Sequence, residues 1–308
     1  MNTSAIVTLQ QHLLDALNPA PEETRRLLHG RGQCWPGLEQ VTVDWLQGVL
    51  LVTLFRAPEA AELQALKQML TTLGQPASWR LLLQHRYLPD SPGEWLLGEP
   101  VGTWPISEHG LRFILEPGKN QNSGLFLDMR HGRQWVQANA RGRRVLNLFA
   151  YTCGFSVAAI AGGAAQVVNL DMAKAALSRG RDNHRLNGHD LSRVSFLGHE
   201  LFKSWSKVRK LGPYDLIIID PPSFQKGSFA LTQDYQKILR RLPELLSAGG
   251  QVLACVNDPQ IAADFLIDGV AEHAPGLRFV QRLDNPPEFV DIDPQGGLKA
   301  LVFEHAPA

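Results

Sequence analysis

Residues 144–224 constrain the fold of this chain more than any other stretch. They read as strand, tight loop, helix, strand ending in an acid, helix, strand, helix, and a strand that runs into Asp220-Pro221-Pro222-Ser223-Phe224. The first strand is Val145-Leu146-Asn147-Leu148-Phe149. The loop Ala150-Tyr151-Thr152-Cys153-Gly154 follows, and Phe155 opens a helix. The second strand, residues 166–170, ends at Asp171, 24 residues after Asn147. Short apolar runs alternating with helical segments predict a parallel sheet with helices on both faces. Beyond Asp220 the alternation continues: a helix over 234–246, a strand over 251–256, a helix over 260–272, and strands over 277–283 and 299–304. The last two have no helix between them and are expected to close the sheet as an antiparallel pair.

An acid about 20 residues beyond a strand-loop-helix turn is placed to accept the hydroxyls of a ribose. Asp171 fits that role and has no nearby arginine suited to a 2′-phosphate; it is also a good N-cap for the following helix, and the two roles are compatible, but its place at the carboxyl end of the second strand favours the ligand role. The loop 150–154 holds a single glycine. A pyrophosphate needs close backbone approach at a helix N-terminus, so this loop argues against a dinucleotide and leaves room for a nucleoside cofactor without phosphate; the alternative is an ordinary βα turn, which any doubly wound fold contains. Glu200, after the short strand 194–197, is either an acceptor for an adenine amino group or a first-turn helix acid. In Asp220-Pro221-Pro222-Ser223-Phe224 the two prolines fix φ and remove backbone donors, so the carboxylate and carbonyls point in set directions. They could accept hydrogen bonds from an exocyclic amine, with Phe224 stacking on an extruded base; the alternative is a rigid strand exit. Asn257 and Asp258, at the carboxyl end of the strand over 251–256, face the same edge. Cys255 lies within that apolar strand and reads as a packing residue. A nucleoside cofactor beside an amine or heterocycle acceptor is what an S-adenosylmethionine (SAM) methyltransferase requires.

The first 100 residues read as a separate small α+β domain, a candidate for substrate or RNA recognition. Apolar residues at helical spacing predict a helix over 4–17. A short helix is expected from Pro21 to Gly30. Strands over 41–45 and 49–55 flank Gln47-Gly48, a helix covers 58–73, and a strand covers 79–87. The turn-rich stretch 89–100 marks the boundary. In the second domain, 101–308, a hairpin is expected from strands 111–116 and 125–128 around the polar turn 117–124, then a helix over 129–140.

Lys plus Arg equals Asp plus Glu, 30 against 30, so the whole chain carries no bias toward polyanions. Basic residues do cluster, at Arg130, Arg133, Arg141, Arg143 and Arg144 and again at Lys203, Lys207, Arg209 and Lys210. Either group offers phosphate contacts, and the second fits a solvated helix face as well. The three cysteines form no CxxC pair and predict neither zinc nor disulfides. With no leader pattern and no apolar run of about 18 residues, a reduced, cytoplasmic protein is the simplest reading.

The ordered motifs Ser123-Gly124-Leu125-Phe126-Leu127-Asp128-Met129-Arg130, Leu146 to Gly154, Gly162-Gly163-Ala164 and Asp220 to Phe224 resemble the bacterial RlmI/RlmK large-subunit rRNA methyltransferases. The resemblance covers about residues 108–304, and more loosely Leu28-His29-Gly30-Arg31-Gly32 and Pro36-Gly37-Leu38. It implies a class I SAM-dependent methyltransferase acting on RNA bases; as a departure from the family, neither the N-terminal PUA domain of the cytosine-modifying branch nor a THUMP domain is expected here. The cytosine-C5 branch of the family carries a nucleophilic cysteine at the position that is Asn257 here. Cys255 stands two residues earlier, about 6–7 Å along the strand. The guanine-modifying branch carries Asn there and is the closer analogue.

The expected fold is therefore α/β: a doubly wound, Rossmann-like, seven-stranded methyltransferase sheet with a small N-terminal α+β domain. The expected cofactor is SAM, contacted by Arg130, Asn147, Phe149, Ala150, Tyr151, Thr152, Gly154, Asp171, Met172, Glu200, Leu201 and Asp220. The expected acceptor side is Asp220, Pro221, Pro222, Phe224 and Asn257, with no metal, and rRNA is the expected partner. The alternatives are a methyltransferase for a small molecule or protein, and a SAM-binding, RNA-associated factor without turnover.

Overall fold

A computed structural model describes residues 1–76, 78–225 and 228–305. The chain divides into two units: residues 1–128 with 286–294, and residues 129–285 with 295–308.

The first unit holds α1 (Thr3–Ala16), β1 (Arg25–His29), β2 (Val41–Trp45), β3 (Val49–Leu54), α2 (Ala60–Gly74), β4 (Arg80–His85) and β5 (Gly93–Leu97), then the hairpin β6 (Trp104–Glu108) and β7 (Leu111–Leu115). The strands β1 to β5 form one sheet in chain order. Val41, Val43 and Trp45, Leu50, Val52 and Leu54, and Leu81 and Leu83 alternate onto one face. There they pack with Ile6, Leu9 and Leu13 of α1 and Leu66 and Leu70 of α2.

Three expectations differ from this unit. The segment expected as a helix after Pro21 contains β1, antiparallel to β2 with a bulge between Arg26 and Leu28. The hairpin pairs residues 104–108 with 111–115 through His109-Gly110, both at positive φ, whereas 125–128 form no strand. The division also falls beyond residue 100. Strand β5 completes the first sheet, and the hairpin is tied to the same unit through Trp104 Nε1 to Leu46 O (2.7 Å), Thr24 N to Ser107 O (3.1 Å) and Gln47 Nε2 to Ser107 Oγ (2.8 Å).

The second unit runs α3 (Arg130–Asn139), β8 (Arg144–Leu148), α4 (Gly154–Ala161), β9 (Gln166–Leu170), α5 (Lys174–Leu186), β10 (Val194–Leu197), α6 (Trp205–Leu211) and β11 (Tyr214–Ile219). It continues with the short pair β12 (Phe224–Gln225) and β13 (Phe229–Ala230), α7 (Leu231–Leu239), α8 (Leu242–Leu245), β14 (Leu246–Val256), α9 (Asp264–His273), β15 (Leu277–Leu283) and β16 (Lys299–His305). The single helix expected over 234–246 is two helices, with Pro243 in the first turn of the second.

The large sheet has the order β10-β9-β8-β11-β14-β16-β15. It is parallel from β10 to β14, with β16 antiparallel to both β14 and β15. This is the doubly wound, seven-stranded sheet expected. Apolar side chains from both of its faces are buried, Ile217 and Ile219 in one cluster and Leu216 and Ile218 in the other. The chain leaves β8 toward β9 on one side, and β11 pairs with β8 on the other. Crevices for ligands open at the carboxyl ends of strands at such a switch point.

A buried polar chain crosses β8, β9 and the two helices above them. Asn147 Nδ2 donates to Asn169 Oδ1, and Asn169 Nδ2 donates to Ser156 Oγ, each at 2.9 Å. Ser156 Oγ lies 2.9 Å from His184 Nε2, and His184 Nδ1 lies 3.0 Å from His189 Nδ1. Burial, with the adjacent His189, pushes the His184 pKa down to about 3. The unfolded chain takes up this proton below about pH 6.5, which the folded chain resists. The His184 contribution is thus fully present above that pH and is lost as pH falls toward 3, at up to about 1.4 kcal/mol per pH unit. Replacing His184 by Gln should lower stability at pH 7 by about 1–3 kcal/mol, and should flatten the decline in unfolding free energy between pH 6.5 and 4 relative to the parent. Urea unfolding at a series of pH values measures both; parallel pH profiles would contradict the assignment.

Candidate functional site

The loop leaving β8 is the most strained backbone at the switch point. Phe149 (φ 56°), Tyr151 (φ 47°) and Cys153 (φ 63°) all take the left-handed conformation, and none is glycine. Such residues are disfavoured by roughly 1–3 kcal/mol each and persist only where the surroundings enforce them. Several bonds do so. Ala150 N donates to Leu170 O (3.1 Å), Cys153 N to Ala150 O (2.7 Å), and Asn183 Nδ2 of α5 to Thr152 O (3.0 Å). Cys153 is buried against Gly180 so closely that a Cβ on Gly180 would lie 2.3 Å from its Sγ.

Asp171 ties the loop to the next strand and helix. Its Oδ2 accepts from Tyr151 N and its Oδ1 from Ala173 N, both at 2.8 Å. Burial raises its pKa, partly offset by these two bonds. A carboxylate offers about four acceptor directions, so two remain after the backbone is satisfied. Asp171 is not the N-cap of α5, a position held by Ala173, but its bond to Ala173 N anchors the segment that enters the helix while capacity for a diol is retained.

Phe149, Asp171, Met172, Glu200 and Leu201 line one cleft, with Leu170, His199, Phe202, Gln225 and Ser228. The rings of Phe149 and Phe229 are 4.9 Å apart, and Phe202 stacks on Phe229 at 6.4 Å. Glu200 Oε1 accepts from Phe202 N (2.8 Å), and its carboxylate lies 3.5 Å from Lys203 Nζ. Ser228 Oγ reaches Met172 Sδ at 3.4 Å. The chemistry of the lining identifies what the cleft could hold. Two carboxylates at successive strand ends beside aromatic and aliphatic walls fit the ribose and adenine of a nucleoside cofactor.

The remaining expected cofactor residues do not belong to this lining. Ala150, Tyr151, Thr152 and Gly154 form the strained turn. Asn147 is inside β8, and its Oδ1 is buried with no hydrogen-bond partner among the described residues. Arg130 is the half-buried first residue of α3. Asp220 follows the last residue of β11. On the acceptor side, Pro221 is buried, Pro222 and Asn257 are exposed, and Phe224 is 70% exposed. Ser223 Oγ donates to Asn257 O (3.4 Å), which brings these two segments together. Tyr235, fully buried, donates its hydroxyl to Ile219 O (3.4 Å) and Cys255 O (3.2 Å), bridging the ends of β11 and β14. Cys255 itself is fully buried. Arg143 and Arg144 lie at the amino end of β8, opposite the cleft, where Arg143 donates to Gln251 and Arg144 to Leu211 O. They are not placed for phosphate contacts at the cleft.

Sequence reading missed Phe202, His199, Gln225 and Ser228. Phe202 and His199 flank the acid already singled out, and the aromatic after Glu200-Leu201 was a usable signal. The pairing of Asn169 with Asn147 was also legible, because both strands carry Asn near their carboxyl ends; the two face each other in register.

A doubly wound sheet with a cleft lined by two carboxylates fits an enzyme that uses a nucleoside cofactor. The chain belongs to the S-adenosylmethionine-dependent methyltransferase family, which it matches over residues 25–304, and SAM is its cofactor. It is 34% identical over 196 residues to ribosomal RNA large subunit methyltransferase I of Erwinia tasmaniensis, covering 61% of this chain and 50% of that protein. To the protein of the same name from Serratia proteamaculans it is 32% identical over 270 residues, covering 83% and 67%. The chain thus spans about half to two thirds of the length of these relatives. Its fold is shared with SMU.776 complexed with SAH (24% identity, TM-score 0.86, 98% of this chain and 81% of that one). It is also shared, more distantly, with the M. jannaschii tRNA m1G37 methyltransferase (16%, 0.61, 86% and 72%).

Replacing Asp171 by Ala removes both the remaining acceptors and the tie on the loop. It should weaken binding of S-adenosylhomocysteine (SAH) at least tenfold, about 1.4 kcal/mol. Asp171→Asn keeps one acceptor oxygen and should fall between. Titration calorimetry on folded variants measures this, and unchanged affinity would remove Asp171 from the cofactor site.

Proposed function

We propose that the chain transfers a methyl group from SAM to a base nitrogen of ribosomal RNA, with guanine the favoured base, in the cytoplasm where ribosomes assemble. The observation that carries this reading is the exposed Phe224, next in the chain to Ser223, whose hydroxyl joins the exit of β11 to Asn257 O, together with a fully buried Cys255. When bound, SAM supplies an electrophilic methyl on a sulfonium. Asp171 and Glu200 would hold its ribose and adenine, and Phe149, Met172 and Leu201 would form the apolar walls. The Asp220 carboxylate and the Pro221 and Pro222 carbonyls are acceptors that can orient the N–H edge of a base. Phe224 offers a stacking face, worth roughly 1–3 kcal/mol for an unstacked base. Positioning of this kind can supply most of the acceleration. Methylation at cytosine C5 would need an accessible thiolate, and Cys255 is packed inside β14. The names of the relatives favour large-subunit rRNA, and that of the more distant structure favours a guanine nitrogen.

Incubation with methyl-tritiated SAM and deproteinised large-subunit rRNA, followed by nucleoside separation and mass spectrometry, should label an N-methylguanosine. Label in 5-methylcytidine, or none in RNA with label in protein, would overturn the reading. Phe224→Ala should keep SAH affinity within about twofold yet lower single-turnover methylation tenfold or more, the loss of about 1.4 kcal/mol of stacking. Cys255→Ala should keep measurable turnover at reduced stability. Loss of activity in folded Cys255→Ala would restore covalent chemistry.

A further inference from the structure

The first unit carries a feature that methyl transfer does not use. Its first 100 residues include 10 acidic and 7 basic side chains, yet three of those basic residues converge on two aromatic rings. The guanidinium carbon of Arg31 lies 4.4 Å from the centroid of Phe55, and that of Arg86 lies 5.1 Å from the same centroid. The Arg26 guanidinium lies 4.6 Å from the centroid of Phe289. Arg26 is neutralised by a two-pronged pair with Asp44, at 2.7 and 3.1 Å. Arg31 and Arg86 have no carboxylate partner among the described residues. Burial, and then the neighbouring guanidiniums, pull the pKa of each downward. Like charges held this close without a counter-charge disfavour the folded state unless an anion neutralises them.

The backbone presents Arg31 rigidly. It sits between two glycines in the turn Gly30–Gly32. A Cβ on Gly30 would stand 1.8 Å from Leu38 O, and one on Gly32 would stand 1.8 Å from Val290 O. Ile292 N donates to Gly32 O at 2.8 Å. The turn is therefore clamped on both sides, while the Arg31 side chain is exposed. Planar guanidiniums beside an aromatic ring match a single-stranded nucleic acid: the cations pair with phosphates, and ring and guanidinium planes offer stacking surfaces to bases.

We infer that this surface of the N-terminal unit, centred on Arg31, Arg86 and Phe55, binds the phosphodiester backbone of an unpaired RNA segment. This rests on the reading that the substrate is RNA.

The test is fluorescence anisotropy with a labelled oligouridylate of about 12 nucleotides, within the range of single-strand site sizes, titrated at several salt concentrations. SAH affinity, measured alongside, reports the fold. The pair Arg31→Gln with Arg86→Gln should weaken RNA binding at least tenfold. It should also reduce the slope of log affinity against log salt by about 0.7 for each phosphate no longer neutralised, with SAH affinity unchanged. Arg31→Lys with Arg86→Lys keeps both charges and should keep that slope. If the Gln pair binds RNA as the parent does, with the same slope, the surface assignment fails and the RNA reading stands. If the parent binds SAH but neither the oligonucleotide nor large-subunit rRNA, both fail. Competition by polyglutamate as strong as by RNA would overturn the nucleic-acid assignment in favour of an acidic protein partner.

Discussion

The carboxylate of Asp171 is the interaction on which the site depends. Three left-handed, non-glycine residues in five positions would not hold their conformation in an unrestrained turn. Asp171 reaches across from the end of β9 to the amide of Tyr151, in the middle of that turn, and with its other oxygen takes the amide of Ala173 before α5. One side chain thus links β8, its exit loop, β9 and α5. The strain of the loop is offset by bonds to a charged acceptor, which are stronger than those between neutral groups. The left-handed turns let residues larger than glycine approach the ligand edge, so Phe149 can form a wall of the cleft.

The layer beneath keeps that arrangement in register. Asn147 and Asn169 face each other on adjacent strands and are joined by their amides, which continue to Ser156 on α4 and His184 on α5. A slip of one strand by a single residue would leave several buried polar groups unpaired, each at about 1–3 kcal/mol. On the other side of the switch point, the Tyr235 hydroxyl bridges the carbonyls of Ile219 and Cys255. That bond fixes the relative height of the two strand ends from which Asp220 and Asn257 emerge. The ends of β8 and β9, and those of β11 and β14, are thus each held by a buried amide or hydroxyl beneath the loops.

Most of the second unit was legible because its strands are buried on both faces and appear as unbroken apolar runs between helical segments. Asp171 was legible as a polar anchor at the end of β9, but the N-cap of α5 falls two residues later, at Ala173, and the bond to Tyr151 N was not legible at all. The first unit was harder. Strand β1 contains a bulge between Arg26 and Leu28, which breaks the two-residue period and leaves adjacent leucines that look helical after Pro21. Pro105 in β6 argues against a strand there, so the pattern alone pairs residues 111–116 with 125–128, across the conspicuous turn at 117–124. The short strand β5 is framed by Pro92, Gly93 and Gly98 and so resembles a domain boundary. The clustering of Arg31 and Arg86 on Phe55 joins residues 24 to 55 positions apart in sequence. No local pattern announces it.

The account is tested most directly by a crystal structure of the chain with bound SAH. It predicts that both ribose hydroxyls lie at hydrogen-bonding distance, about 2.5–3.0 Å, from the Asp171 carboxylate, while the amides of Tyr151 and Ala173 keep their bonds to the same group. A ribose bound elsewhere, or a carboxylate that must release Tyr151 to reach it, would contradict the claim that one side chain both holds the loop and receives the cofactor.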